Sequence, residues 1–203
     1  MRTFDISQEL FGCVVFPGDP APRREVLSSM EEGALYNLTA FSMCAHNGTH
    51  VDAPRHFLKD GGTVDGMALE RTVGFCFVIE HEGVLSAEDA QTVLGRTNRE
   101  NREAAKRLLF KGRTTVSNEA AAILADAGIL LIGNESQTVG PEEAPLKAHL
   151  SLLSREVVLL EGIRLSHVPE GVYLLNAAPL NLGGAEGAPC RAILLDLKGE
   201  EGC

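Results

Sequence analysis

The amino-acid sequence predicts a mixed α/β fold, with one domain over residues 1–203. Short apolar runs rich in β-branched and aromatic residues, such as VGFCFVIE at 73–80, recur along the chain and are typical of buried strands. Helical segments with recognisable start and stop residues lie between several of these runs. Because strands alternate with helices, we expect a substantial sheet covered by helices, and 203 residues are enough to bury one large core.

The first 80 residues are predicted to form mainly strands and turns. TFDIS near the start is typical of a short strand, and the prolines, glycine and aspartate of FPGDPAP at 16–22 favour a surface loop. Residues 34–45 predict a strand that leads into a histidine-rich stretch. KDGGTVDG at 59–66 predicts a turn, and the buried strand at 73–80 follows it.

The middle of the chain is predicted to contain two helices and a strand. Residues 86–107 are polar, and SAED predicts a helix start because serine caps helices and acidic residues favour the first turn. RLLFKG at 107–112 predicts a strand. VSNEAAAILADAG at 116–128 predicts a second helix, capped by Ser117 and ended by Gly128.

The remaining elements alternate in the same way. ILLIG at 129–133 and REVVLLEG at 155–162 predict buried strands, and VYLLNAAPL and CRAILLDL predict two more. Between the first two, PEEAPLKAHLSLLS predicts a helix from about residue 142. Every predicted helix therefore lies between two predicted strands.

Composition disfavours two classes of partner. The formal net charge is −10, which repels a nucleic-acid backbone or an anionic membrane. Aromatic residues make up 5% of the chain and tryptophan is absent, so the sequence offers no aromatic surface for base stacking. A small-molecule substrate is the expected partner.

The cysteines and the N-terminal residues favour a cytoplasmic protein. The five cysteines are scattered and form no CxxC pair, which is typical of reduced thiols. MRTFDISQEL has no apolar core of a secretory signal, and no apolar run approaches the roughly 20 residues that cross a bilayer. The cysteines are Cys13, Cys44, Cys76, Cys190 and Cys203.

The stretch HNGTHVDAPRH at 46–56 concentrates half of the six histidines of the chain. Its histidines and its aspartate all have even numbers, so in an extended chain they would point to one side. Pro54 biases the preceding residue away from helix. A straight strand would separate residues 46 and 50 by roughly 13 Å. We therefore expect an extended segment with a bend at Gly48.

His46, His50 and Asp52 match the ligands that zinc and similar ions accept. Three protein ligands leave a coordination position open, which is typical of catalytic sites. A single histidine beside a strand is more often an ordinary polar residue, but three in this register favour a metal. Asn47 and Thr49 are expected to hydrogen-bond to the surrounding loop.

The pattern HxGTHxDxPxH resembles the signature of the cyclase superfamily of metal-dependent hydrolases, which includes bacterial kynurenine formamidases and isatin hydrolases. Every fixed position of the signature matches. The opening DIS, PGDP at 17–20, ILLIGNES, His149 and LLEG at 159–162 are also similar to that family. The resemblance covers the chain from end to end and implies a swivelling β/β/α type of domain.

The resemblance implies a site with two divalent ions, zinc or manganese. His46, His50 and Asp52 would hold one ion, and Asp52 would bridge to a second ion bound by His149 and Glu161. His56 would be the catalytic acid or base rather than a ligand. On its own, Glu161 is more simply interpreted as a structural residue. The resemblance also implies a homo-oligomer, a dimer or a tetramer.

Three further residues are predicted to bind substrate. Phe16 stands where the family has tryptophan, and Glu135 and Ser136 lie in GNESQT, where the family has aspartate and threonine or serine. These differences affect the shape of the substrate pocket and leave the metal ligands unchanged.

The expected activity is hydrolysis of an amide bond by metal-bound hydroxide, with His56 transferring a proton to the leaving nitrogen. The resemblance implies arylformamidase activity, which converts N-formylkynurenine to kynurenine and formate. The alternatives are hydrolysis of an isatin-like cyclic amide or a lactone, a polyketide-type cyclisation, and a metal-binding or ligand-binding protein without catalysis. A zinc-dependent regulatory module fits poorly, because the acidic chain offers no DNA-binding surface.

Overall fold

The fold is built around one large sheet. The structure, a computed structural model, describes residues 1–197. Its strands are β1 (Arg2–Asp5), β2 (Arg23–Ser28), β3 (Leu38–Ser42), β4 (His50–Asp52), β5 (Val73–Glu80), β6 (Gly83–Leu85), β7 (Arg107–Lys111), β8 (Thr114–Val116), β9 (Leu131–Asn134), β10 (Val158–Glu161), β11 (Gly171–Asn176), β12 (Gly187–Pro189) and β13 (Ile193–Asp196). Its helices are α1 (Ala87–Glu100), α2 (Asn118–Asp126) and α3 (Leu146–Leu153).

Within residues 1–197, nine strands form the large sheet in the order β1-β13-β11-β5-β7-β9-β10-β4-β12. The central strands β5, β7, β9 and β10 are parallel, and the strands on both flanks pair antiparallel. Parallel strands are covered on both faces, so their middle residues are apolar without alternation, as in the LLF of RLLFK in β7. The mixed α/β class predicted from the sequence is confirmed.

Two hydrophobic cores lie on opposite faces of this sheet. Alternate residues of a strand point to opposite faces. Phe77 and Ile79 of β5 therefore join the core beneath the three helices. Cys76 and Val78 join the second core, which the N-terminal strand and the segments around β4 and β11 complete. The helices cover one face, and strands and loops cover the other.

Helix starts follow the predicted caps in two of the three helices. Ser86 and Asp89 form a capping box at the start of α1, and the Ser117 side chain accepts a hydrogen bond at the start of α2. The predicted helix start at residue 142 is wrong, because α3 begins at Leu146. Pro145 disfavours helical geometry at the residue before it, so the helix starts immediately after this proline.

Strands β2 and β3 form a separate two-stranded sheet. The strand predicted over residues 34–45 is shorter, and its partner β2 was not predicted. Large apolar side chains of this hairpin are exposed: Val26, Leu27, Met30, Leu35, Tyr36, Leu38 and Phe41.

None of the helices among residues 1–197 is both long enough and apolar enough to cross a membrane.

Candidate metal centre

The histidine-rich stretch bends where the sequence predicts it. Gly48 has φ = +67°, in the left-handed region that favours glycine. His50 and Asp52 lie on β4, whereas Pro54–His56 forms a single 3-10 turn. The shared face of alternate residues is therefore limited to His50 and Asp52. His46 reaches the site through the bend, and His56 reaches it from the 3-10 turn.

Loop contacts fix the bend in place. The Asn47 side chain accepts a hydrogen bond from the Cys44 N–H at 2.8 Å. The Thr49 hydroxyl donates to the Gly162 carbonyl oxygen at 2.8 Å and accepts from the Gln8 N–H at 2.9 Å. The contacts expected for Asn47 and Thr49 are thus present: the Asn47 contact lies within the loop, and the Thr49 contact ties the loop to the end of β10.

Tertiary structure brings the distant pair, His149 and Glu161, to this loop. Strand β10 pairs antiparallel with β4, and the register sets Glu161 opposite His50. His149 lies on α3, near the Asp52 and Glu161 carboxylates. His50, Asp52, His149 and Glu161 are each at most 2% exposed. A carboxylate and histidine cluster this deeply buried requires compensating charges.

The spacing within the cluster fits metal ligands better than hydrogen bonds. His50 Nε2 lies 3.4 Å from Asp52 Oδ1 and 3.5 Å from Glu161 Oε2. His149 Nε2 lies 3.4 Å from Glu161 Oε1 and 3.8 Å from Asp52 Oδ2. Two ligand atoms about 2.0–2.1 Å from a tetrahedral ion are about 3.3 Å apart. The side chains are therefore separated much as the ligands of one ion are.

Two groups of side chains could each hold an ion. The first is His46, His50 and Asp52, and the second is Asp52, His149 and Glu161; within each group the ligand atoms lie within 4.8 Å of one another. Asp52 Oδ2 is buried and makes no hydrogen bond within residues 1–197. An unpaired buried carboxylate oxygen costs free energy, and a cation at this point would satisfy it.

The electrostatics of the metal-free cluster depend on protonated histidines. Burial alone would lower the pKa of His50, but its contacts with Asp52 and Glu161 outweigh burial and raise the pKa to about 10. Burial would likewise lower the pKa of His46 and of His149, but Asp52 raises the first and Glu161 the second. Burial acts to raise the pKa of Asp52, yet the neighbouring histidines hold it well below its usual range. Positive charge thus accumulates where a metal ion would supply it.

His56 differs from the three other histidines of the cluster. Burial is the largest effect and lowers its pKa; the positive charges of His46 and His149 act in the same direction, and the charges of Asp52 and Glu161 oppose them. Its ring stacks on His46 with centroids 4.0 Å apart, and its Nε2 lies 3.9 Å from Asp52 Oδ2. His56 is therefore neutral at pH 7 and keeps a free nitrogen beside the cluster.

Phe16, Glu135 and Ser136 lie along one cavity. They line a cavity of about 770 Å³ whose described lining includes none of the predicted ligands. The Glu135 carboxylate accepts hydrogen bonds from two backbone N–H groups, and the Ser136 hydroxyl donates to the Thr138 carbonyl oxygen at 2.5 Å. Substrate binding by these three residues stays a prediction.

The other histidines and the cysteines lie outside the two ligand groups. His81 contacts Thr114, and His167 is exposed. Cys44 contacts Asp19 rather than the cluster. The four cysteines among residues 1–197 are free thiols, and Cys203 lies outside the described residues.

One residue near the cluster was not predicted from the sequence. Glu186 Oε1 lies 3.4 Å from His46 Nε2. Its place follows from the pairing of β12 with β4, which sets Gly187 opposite Asp52. A three-residue edge strand of glycine, alanine and proline gives no strand signal, so only the structure reveals this neighbour.

Known proteins resemble the chain in both sequence and structure. The Cyclase family model, described as "Putative cyclase", matches residues 4–141, which include the whole stretch at 46–56. The kynurenine formamidase of Erythrobacter litoralis (strain HTCC2594) is 34% identical over 210 residues, covering 97% of this chain and 94% of that protein. The kynurenine formamidase of Bacillus anthracis is 34% identical over 211 residues, covering 95% and 97%.

Two solved structures support the same relationship. A structure described as a potential metal-dependent hydrolase with cyclase activity is 27% identical, with a TM-score of 0.78 and coverage of 95% of this chain and 96% of that one. Isatin hydrolase A from Labrenzia aggregata has a TM-score of 0.82 at 24% identity, covers 95% and 93%, and shows a shared fold. With its family model, its full-length relatives and its fold in agreement, the chain belongs to the cyclase family of metal-dependent hydrolases.

Proposed function

We propose that the protein is a metal-dependent amide hydrolase, and specifically an arylformamidase that converts N-formylkynurenine to kynurenine and formate. The observation that carries this proposal is the pair of ligand groups that share the buried Asp52 and lie beside a neutral His56. The names of the full-length relatives support the predicted cleavage of a carbon–nitrogen amide bond.

His46, His50 and Asp52 would hold one divalent ion, and Asp52, His149 and Glu161 would hold a second. Mixed nitrogen and carboxylate ligands suit zinc or manganese. Bound there, such ions would lower the pKa of a water ligand and polarise the substrate carbonyl.

His56 is suited to move the proton that this hydrolysis requires. Cleavage of an amide by water joins OH to the carbonyl carbon, breaks the C–N bond and requires a proton on the leaving nitrogen. The neutral imidazole of His56 would accept a proton at Nε2 from the attacking water and then deliver it to that nitrogen. For an arylformamide the products are formate and an arylamine, and no organic cofactor is needed.

The aromatic side chain of Phe57, next to His56, would help to exclude water. Phe57 lies against both His56 and His149, with ring centroids 4.4 and 4.6 Å apart. A dry environment strengthens electrostatic interactions with the substrate carbonyl. The aromatic ring of an arylformamide suits such a surface.

The test is hydrolysis of N-formylkynurenine and isatin by protein stripped with a chelator and reloaded with zinc or manganese. We expect activity only after reloading, and more on the formamide than on isatin. His50→Ala should lose metal and activity together. His56→Asn should keep its metal but lose about 10²–10⁴-fold in kcat, whereas the control His81→Asn should match the wild type.

Full activity of the chelated protein or of His50→Ala would exclude the metal mechanism. Greater activity on isatin would instead assign the protein to the hydrolysis of cyclic amides. Metal binding without turnover of either compound would favour a lactone, a polyketide-type cyclisation or a binding protein without catalysis.

We also propose that the protein is a homo-oligomer, a dimer or a tetramer, in the cytoplasm. A two-stranded sheet is not stable by itself, and the β2–β3 hairpin exposes large apolar side chains, including Leu35 at 93%. A second copy packing on this hairpin would cover them. The free thiols among residues 1–197 support a reducing compartment.

A further inference from the structure

The ring of His46 is held differently from those of His50 and His149. Those two rings direct Nδ1 at backbone carbonyl oxygens 3.1 and 2.8 Å away, so that Nε2 faces the carboxylates. His46 instead directs Nδ1 at Asp52 Oδ1, 2.9 Å away. Its Nε2 is buried and makes no hydrogen bond to any part of the chain between residues 1 and 197. The outer nitrogen of this one ligand therefore lacks the acceptor that the other two have.

Glu186 is in position to supply that acceptor. Its Oε1 lies 3.4 Å from His46 Nε2, and its side chain is 44% exposed, so the carboxylate has room to move closer. Its carbonyl oxygen accepts a hydrogen bond from the Ala53 N–H at 2.8 Å, which ties it to the metal-binding stretch. A Cβ added to Gly187 would lie 2.7 Å from His46 Cε1. The backbone at 186–187 thus forms the surface on which the ring rests.

We propose that Glu186 is a positioning residue for His46. Its carboxylate accepts a hydrogen bond from the Nε2–H, which leaves the Nδ1 lone pair for the metal. A carboxylate behind a ligating histidine fixes the tautomer and makes the imidazole a stronger ligand. Glu186 is not in either group of candidate ligands, so it acts through His46 alone. This inference rests on the proposed metal site and adds to it a residue behind the ligands.

The first test compares zinc affinities by competition with a chelator of known affinity. Glu186→Ala removes the acceptor and should weaken zinc binding by about tenfold or more. Glu186→Gln keeps an acceptor oxygen but loses the charge, so its affinity should lie between those of Glu186→Ala and the wild type. Glu25→Gln removes the same charge on β2, in the separate sheet, and should bind as the wild type does. Thermal unfolding followed by circular dichroism checks that each variant is folded.

The second test is the tautomer of His46 in the zinc-loaded protein, from imidazole ¹⁵N chemical shifts assigned with His46→Gln. We expect the proton on Nε2 in the wild type and in Glu186→Gln, and a smaller fraction of this tautomer in Glu186→Ala, a change that a purely structural role would not produce. A proton on Nδ1, or equal zinc affinity in the wild type and both Glu186 variants, would refute the role of Glu186 alone. Failure of the wild type to bind zinc or manganese would refute the proposed metal site as well.

Discussion

At the scale of single residues, the charge of His50 would control metal uptake by the proposed site. Its pKa of about 10 means that the imidazole is protonated at pH 7 in the metal-free protein. A histidine must be neutral to bind a metal, so binding displaces this proton. We expect proton release at pH 7 and an apparent metal affinity that rises up to about pH 10, by about tenfold per pH unit for each proton displaced. Calorimetry in two buffers with different ionisation enthalpies measures the protons released.

The control for this prediction is His81→Ala, which should release as many protons as the wild type. A metal affinity that becomes constant near pH 6.5 would contradict the raised pKa of His50.

The protonation of His50 also affects the stability of the metal-free protein. Because its pKa is higher when folded than when unfolded, its stabilising contribution is complete below about pH 6.5 and disappears as the pH rises towards 10.

The proximity of the candidate ligands was predictable where they stand close together in the sequence. His46, His50 and Asp52 stand close together in the sequence, and the structure brings their side chains together as expected. His149 and Glu161 were weak candidates from their own surroundings and depended on the family resemblance. Burial and the pairing of β10 with β4 are what make Glu161 a credible ligand, and neither is visible in the sequence.

At the scale of elements, the turn at Gly162 after β10 packs closely against the histidine-rich stretch at Gly48. Gly162 has φ = +69°, and a Cβ there would lie 2.6 Å from Gln8 Nε2 and would also collide with Gln137 and the Gly48 carbonyl oxygen. We expect Gly162→Ala to reduce the free energy of unfolding by about 2 kcal/mol or more, because backbone strain and steric overlap add. Urea unfolding measures the change.

Gly184→Ala is the matched control for this substitution. Gly184 has φ = +75°, but a Cβ there would meet no atom of the described chain within 4 Å. Only the left-handed backbone is then strained, and the cost should be about 1 kcal/mol. Equal losses of stability in the two variants would show that crowding around Gly162 is unimportant.

Elements with strong local signals were predicted correctly, and weak ones were not. The capped helices and the apolar central strands carry their signals in a few adjacent residues. Strands β2, β6, β8 and β12 were missed because β2 is exposed and the other three are only three residues long. Pairing with a neighbouring strand determines such segments more than their own composition does.

At the scale of the whole molecule, the exposed hairpin leads to a prediction about assembly. If a second copy covers β2 and β3, the wild type should be a dimer or larger in light scattering coupled to size exclusion. The double variant Val26→Ser, Leu38→Ser should dissociate at higher concentrations than the wild type, because it removes apolar area from the contact. Val84→Ser, which removes a similarly exposed valine outside the hairpin, is the control. A monomeric wild type would contradict the proposal.

The sequence alone determined the family, the mixed α/β class, the central strands and the three clustered ligand candidates. These depend on periodicity, caps and a dense motif, which are all properties of neighbouring residues. Only the tertiary structure showed how the candidate ligands converge: the register of β10 against β4 sets Glu161 opposite His50, and β12 carries Glu186 to His46. It also placed Phe16, Glu135 and Ser136 along one cavity, whose lining among residues 1–197 does not include the candidate ligands. Contacts between residues more than a hundred positions apart depend on sheet order, which no local pattern encodes.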